Sequence, residues 1–167
     1  ATRTQGLITA AGNPKQLNSL VDVVRTKARF VQRGPGTGTR VLLEDLLAKE
    51  QLTAKDLNNW PDEEPSHTAL AQVIASGQCD VGLGIESTAH ARALGFVPLV
   101  QETFYLVCLK SALDTPATQA LRGLLQTSAW LAALNTLPGY QAQNSGQVQS
   151  LSKQLPWWTF KRSKKLS

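Results

Sequence analysis

The sequence predicts an α/β fold with a mostly parallel sheet flanked by helices. Apolar, strand-like segments alternate with segments of helical period along most of the 167 residues, and this order is typical of strands connected by helices. The apolar share of 42% is enough for the hydrophobic core of one ordinary domain. The chain has no internal repeat and no coiled-coil heptad, so nothing indicates a fibrous or repeat architecture.

In the first half of the chain, the predicted elements alternate around a glycine-rich loop. Residues 6–14 predict a strand that ends in a Gly-Asn-Pro turn, and the apolar spacing over 17–27 predicts a short helix. Residues 28–33 predict a brief strand, which leads through the loop into a helix that starts at Thr39 and carries a stripe of leucines. The polar, proline-containing residues 52–66 are expected to form a loop with room for one helical turn.

The second half continues the alternation. Residues 66–77 predict a helix with a hydroxyl cap at its start and a glycine at its end. Residues 79–85 predict a strand whose two glycines allow a backbone or a ligand to approach closely. The remaining elements are a helix over 87–95, two strand-like pieces within 96–110, one long amphipathic helix over 115–137 and a loop over 138–147.

The two cysteines, Cys79 and Cys108, each lie in an apolar, strand-like stretch, so both are expected to be buried and reduced. Reduced thiols favour the cytoplasm, and a signal peptide in the full-length protein would instead place it in the periplasm. The strongly apolar runs, such as 104–109, are too short to span a bilayer.

The net charge of +5 is concentrated at the end of the chain. Residues 161–167 contain four basic side chains and no acid, so removing these four from +5 leaves +1 on the remainder. A basic face that binds nucleic acid is therefore not predicted. Residues 151–167 form a separate tail with aromatic residues ahead of the basic run, and packing on the body is favoured over contact with a membrane or single-stranded nucleic acid.

The most informative stretch is RGPGTGTR, residues 33–40, between a predicted strand and a predicted helix. A helix start presents unpaired N–H groups and the positive end of a dipole, and a bound anion satisfies both. Arg33 and Arg40 bracket the glycines, and the first acid is Glu44, beyond the first turn. The Walker and dinucleotide patterns do not match, which favours a small oxyanion over a nucleotide. A tight turn with threonine caps and solvated arginines is the alternative.

Three blocks of sequence, FVQRGPGTGTRVLLEDLL, EEPSHTALAQVIASGQCDVGLGI and GFVPLVQETFYLVCLK, resemble the periplasmic-binding-protein-like (type II) domain family of bacterial cytoplasmic regulators. The resemblance covers residues 5–140 and rests on the order and spacing of the blocks. In that family a similar domain follows a DNA-binding helix-turn-helix segment or is fused to a molybdopterin-biosynthesis enzyme, and relatives include molybdate and tungstate receptors. The resemblance implies a non-catalytic domain that senses a small oxyanion, needs no cofactor and acts on such a partner domain.

The resemblance also implies which residues contact the ligand. The family's loop is close to Asn-Arg-x-Pro-Gly-Ser-Gly-Thr-Arg. Here Gln32 stands for the asparagine, and Thr37 replaces the serine but keeps its hydroxyl. The implied ligand-binding residues are Arg33, Gly36, Thr37, Gly38, Thr39, Arg40, Ser66, His67 and Tyr105.

Other readings of polar residues stay open. His67 is either a ligand contact or an ordinary helix-start histidine, and as a catalytic base it lacks a nucleophile partner in the sequence. Glu86 follows a predicted strand and is a candidate for lining the cleft, where Arg33 or Arg40 would offset its charge. The acids at 62–64 favour a solvated loop over a metal site, because no further ligand spacing accompanies them.

Residues 1–150 are expected to form one ligand-binding domain related to two-lobed receptors. By that resemblance, 14–96 form the second lobe, while 1–13 and 97–150 contain the crossing strands and a remnant of the first lobe. Most of the first lobe is then expected to precede Ala1, which would expose apolar surface and favour a homodimer. A solute receptor of an oxyanion transporter and an accessory domain of a molybdenum-cofactor enzyme are the alternative functions.

Overall fold

The sheet contains the strands β1 (Thr2–Thr9), β2 (Arg29–Arg33), β3 (Asn58–Glu64), β4 (Val81–Ile85), β5 (Gly95–Thr103) and β6 (Tyr140–Gln141). The structure, a computed structural model, describes residues 1–155. Five strands follow the order β3–β2–β4–β1–β5, and β6 pairs with β1. β2 is parallel to β3 and β4, whereas β1 is antiparallel to β4, β5 and β6. The α/β class is confirmed, and the sheet is mixed because β1, which lies between β4 and β5, runs against the shared direction of the other strands.

Most α-helices within residues 1–155 begin at hydroxyl-bearing caps, and the helix that follows Ile85 is the exception. The threonine or serine before five of them, at 19, 37, 66, 115 and 127, accepts a hydrogen bond from a backbone N–H of the first turn. None is long and apolar enough to cross a membrane. They are α1 (Leu20–Arg25), α2 (Gly38–Lys49), α3 (His67–Ala75), α4 (Glu86–His90), α5 (Pro116–Leu125), α6 (Ser128–Asn135) and α7 (Leu151–Gln154).

Strand alternation divides the core into two layers. Leu7 and Ile8 are consecutive in β1 and both fully buried, because neighbouring side chains point to opposite faces of the sheet. Leu7 packs with Phe30 and with the buried faces of α1 and α2, whereas Ile8 packs with Val31 and with α3 and α4. Helices therefore cover both faces of the sheet, and the strand ends remain free to form a site.

The expectation of a loop over 52–66 is wrong, because β3 forms there at the edge of the sheet. Most β3 side chains are exposed, so the strand lacks the alternation of apolar and polar residues by which strands are recognised. Its pairing with β2 shifts register between Phe30 and Gln32, opposite Pro61. A proline has no N–H to donate to the ladder, and an edge position tolerates it.

Residues 96–137 also differ from expectation. β5 is one continuous strand up to Thr103, and residues 104–109 have no regular structure. The predicted long helix is two helices, because Gln126 closes α5 and Thr127 caps α6. The loop predicted over 138–147 contains the two-residue strand β6.

Residues 104–109, the apolar segment, expose large apolar side chains. Leu106, Val107 and Leu109 are 64%, 71% and 76% exposed. Cys108 lies exposed among them, so the expectation that both cysteines are buried is wrong for this residue. Cys79 is buried, and burial raises the pKa of its thiol to about 11. The aromatic and basic residues predicted to pack on the body lie outside the described residues, from 156 onwards.

Candidate ligand-binding site

The glycine-rich loop joins the end of β2 to the start of α2 through a tight turn. Gly36 has a φ of 78°, a left-handed conformation that favours glycine. The hydroxyl of Thr37 donates to the carbonyl of Gly34 at 2.9 Å and accepts from the N–H of Arg40 at 3.3 Å. The threonine cap, which the alternative reading of the loop as a tight turn included, is therefore present. A Cβ built on Gly36 or Gly38 would meet no atom within 4 Å, so one side of the loop is open.

The starts of α2 and α3 share one electrostatic feature. Neither helix has an acidic residue in its first turn. Within residues 1–155 the backbone N–H groups of Gly38 and Thr39, and those of His67 and Thr68, have no hydrogen-bond partner. Each helix therefore presents free donors and the positive end of its dipole without a negative charge of its own.

The two helix starts meet through Thr39 and His67. Thr39 is buried, and its Oγ1 lies 3.4 Å from His67 Nε2. The imidazole lies over β4, where a Cβ built on Gly84 would be 3.4 Å from Nδ1. Burial, and next the positive charges of Arg33 and Arg3, lower the pKa of His67 to about 4. His67 is therefore neutral near pH 7 and acts as a dipolar group rather than as a cation.

Sequence reasoning missed three polar residues that complete this cluster. The Thr39 hydroxyl donates to Gln5 Oε1 at 3.1 Å, and Gln5 Nε2 donates to Glu102 Oε2 at 2.9 Å. Glu102 also forms an ion pair with Arg3. Gln5 is 1% exposed, although it shares the face of β1 that buries Leu7. A glutamine at a core-facing strand position was the signal that could have identified it.

The two arginines that bracket the loop have different partners. Arg33 donates to the carbonyls of Glu64 and Pro65 at 3.0 and 2.8 Å, so it ties the end of β2 to the chain that enters α3. Arg40 donates from Nε to Glu44 at 2.8 Å. Its Nη1 is buried and has no hydrogen-bond partner within residues 1–155, although Glu63 Oε1 lies 3.9 Å away. Arg40 therefore retains an unused donor.

Three of the other candidate residues contact partners other than Thr39 and His67. Ser66 caps α3 by accepting from the N–H of Ala69 at 3.0 Å. Tyr105 lies in the apolar segment, and its hydroxyl donates to Gln154 of α7 at 2.9 Å. Glu86 lies 3.6 Å from His90. The described ion pairs do not join Glu86 to Arg33 or Arg40, so the pairing considered for it is not found.

The described residues contain no better candidate for an anion site or a metal site than this cluster. An open hollow of about 440 Å³ lies along the second half of α2 and residues 52–55. Its lining is mostly aliphatic, and the opposite charges of Glu44 and Lys55 offset each other, so it offers an anion little net attraction. Within residues 1–155 no group of three or more His, Cys, Asp and Glu side chains could hold a metal ion.

The fold and the site together define a ligand-binding domain. Helices cover both faces of the sheet, and two helix starts with free N–H groups converge where β2 and β4 end. This is the edge at which open α/β sheets bind ligands. The chain belongs to the PBP superfamily domain family, which residues 1–126 match.

Comparison with known proteins agrees with this family. The chain is 32% identical over 146 residues to the uncharacterized protein YvgK of Bacillus subtilis, covering 87% of this chain and 47% of that one. The structure of PEB3 from Campylobacter jejuni bound to L-phospholactate superposes with a TM-score of 0.66 at 20% identity, over 84% of this chain and 65% of PEB3. The structure of an ancestral amino acid-binding protein, AncCDT-1, superposes with a TM-score of 0.59 at 13% identity, over 82% of this chain and 58% of AncCDT-1. The chain thus spans about half the length of the Bacillus relative and less than two thirds of either structure.

Proposed function

We propose that this chain is a non-catalytic, ligand-sensing domain that binds a small oxyanion at the glycine-rich loop and the start of α3. One observation carries the proposal: two helix starts without acidic residues converge through the 3.4 Å contact between Thr39 and His67. The free N–H groups of both helices are the donors, and the buried Nη1 of Arg40 is a further one. A small tetrahedral anion provides several oxygen acceptors, which suits donors that approach from more than one direction.

Electrostatics favours an anion over a neutral ligand. Each helix start stabilises a nearby negative charge by about 0.3–1 kcal/mol at exposed positions and by more where the geometry is partly buried. Two such starts acting on one ligand, together with Arg40, make the edge attractive to a divalent oxyanion. A neutral His67 adds no charge, so the electrostatic attraction of an anion comes from the backbone N–H groups and from Arg40.

Molybdate and tungstate are the ligands that we propose first, on the family resemblance. Sulfate and phosphate have the same tetrahedral shape and belong in the same comparison. L-phospholactate, with which PEB3 was solved, is a useful further probe. Sensing also requires that the ligand binds one arrangement of the protein better than another, so that occupancy can reach a DNA-binding or molybdopterin-enzyme domain of the full-length protein.

A thermal-shift panel of these five anions tests the proposal. A ligand at 100 times its Kd stabilises a folded protein by about 2.7 kcal/mol. For a chain of this size, each 1 kcal/mol raises Tm by about 2–4 °C. A matched series of chloride concentrations controls for ionic strength. If none of the five shifts Tm beyond chloride, in this chain and in a longer version that restores the length of the Bacillus relative, the proposal is wrong.

A further inference from the structure

We propose that Gln5 is a positioning residue of this site: it relays to Thr39 the direction that Glu102 sets in a hydrogen-bond chain from Arg3 to His67, and thereby holds His67 in a single tautomer with the proton on Nε2. The inference rests on the proposed function only in calling the cluster a ligand site. The direction of the chain itself follows from which atoms can donate and which can only accept.

The direction is determined at Glu102. A carboxylate that is paired with a guanidinium accepts hydrogen bonds and does not donate them, and Glu102 forms such a pair with Arg3. The side-chain amide of Gln5 must therefore turn its NH₂ group towards Glu102, at 2.9 Å. The carbonyl oxygen of the same amide then faces Thr39, at 3.1 Å.

The direction then passes from Gln5 to His67. The Thr39 hydroxyl has one hydrogen, and it donates this hydrogen in its bond to the carbonyl oxygen of Gln5. Only the oxygen lone pairs of Thr39 are left for the imidazole, so the 3.4 Å contact requires a proton on His67 Nε2. Nδ1 is then unprotonated, which agrees with its position against Gly84, where it is buried without a partner among the described residues.

The same surroundings keep His67 from taking a second proton near neutral pH. Burial and the two nearby arginines outweigh the opposing pull of Glu102 on its pKa. One neutral tautomer therefore remains.

The hydrogen-bond chain connects the strands β1 and β5 to the starts of both helices. Arg3 and Gln5 lie on β1, Glu102 on β5, and Thr39 and His67 open α2 and α3. In this sequence β1 and β5 are the strands predicted to cross between lobes. A hydrogen-bond chain of fixed direction would hold the free N–H groups of both helices in register with those strands. Ligand occupancy and strand position would then be coupled through Gln5.

The test is the tautomer of His67, read by long-range ¹H–¹⁵N NMR of the imidazoles without ligand. We expect a pyrrole-type Nε2 and a pyridine-type Nδ1 for His67, while the exposed His90 provides an internal reference. Glu102→Gln replaces the obligate acceptor by an amide that can face either way. The donor-to-acceptor direction of the hydrogen-bond chain can then reverse, and both tautomers of His67 become populated.

A double variant provides the matched rescue. In Gln5→Glu/Glu102→Gln the carboxylate moves to position 5, where it accepts from both Thr39 and the new amide. The net charge and the side-chain sizes are unchanged, and the Nε2–H tautomer should return. Gln5→Leu supplies a third variant, in which Thr39 loses its acceptor and the tautomers mix. Should the single Glu102→Gln variant fail to fold, the double variant and Gln5→Leu still decide the matter.

The proposal is overturned if wild-type His67 has its proton on Nδ1, or if Glu102→Gln and Gln5→Leu leave the tautomer population unchanged. Titration with molybdate gives a second, separate readout. Gln5→Leu should weaken molybdate binding by roughly fivefold, the effect of losing one ordinary hydrogen bond. If the tautomers behave as expected but no variant and no wild-type protein binds molybdate, sulfate or phosphate, the hydrogen-bond chain stands and the proposed ligand class falls.

Discussion

Placing an acid at the first position of α2 should abolish oxyanion binding without harming the fold. Gly38 lies outside the left-handed region, and a Cβ on it would meet no atom within 4 Å, so Gly38→Asp introduces no clash. Its carboxylate would occupy the helix start that the sequence leaves without an acid. A carboxylate at such a position stabilises a helix by about 0.3–1 kcal/mol. The ligand-free variant should therefore be at least as stable as the wild type.

The loss of ligand stabilisation sets the size of the effect. Wild-type protein at 100 times the Kd of its anion gains about 2.7 kcal/mol. In Gly38→Asp this gain should fall close to zero, because the new carboxylate repels the anion and satisfies the donors that bind it. Differential scanning calorimetry with and without molybdate measures both quantities in one experiment.

Gly123→Asp is the matched control. Gly123 also lies in a helix with open space around a built Cβ, but in α5 and away from both helix starts of the site. This variant should keep the full gain from molybdate. The reasoning is refuted if Gly38→Asp keeps that gain as well, or if both variants lose it to the same extent.

Three further predictions follow from burial, charge and exposed apolar surface. Phe30→Ala removes a fully buried ring from between β2 and the helices and should cost about 3–5 kcal/mol in urea unfolding. Because the pKa of His67 is about 4 in the folded protein against 6.5 when unperturbed, the unfolded chain binds more protons between these values. Stability should therefore fall as pH drops from 6.5 towards 4, and His67→Gln should flatten that slope in unfolding curves measured at several pH values. Leu106→Glu should reduce the self-association expected from the exposed apolar segment, measured by sedimentation velocity. If the variant and the wild type sediment alike at high protein concentration, the apolar segment does not mediate self-association.

The elements that define the helical side of the site could be predicted from the sequence. The leucines of α2 recur at helical spacing and Leu43 and Leu47 are buried, while Thr37 and Ser66 cap α2 and α3 as their residue types favour. The position of the glycine-rich loop between a strand and a helix then follows from chain order. Local patterns carry this information because helix caps and apolar stripes involve residues close in sequence.

Features set by partners distant in sequence could not be predicted in this way. β3 is a strand because β2 provides its ladder, not because its own side chains alternate. Residues 104–109 have strand-like composition but no neighbouring strand, so their backbone stays irregular. The partners of Gln5 lie 34 and 97 residues away, and only the fold brings them together.

The central claim is that an oxyanion binds at the convergence of the two helix starts. Backbone amide NMR of ¹⁵N-labelled protein during a molybdate titration tests it most directly, with chloride as the ionic-strength control. The account predicts saturable shifts that are largest at Gly38, Thr39, His67 and Thr68 and that follow one binding curve. Shifts centred on the hollow beside Glu44 and Lys55, or shifts that chloride reproduces, would contradict it.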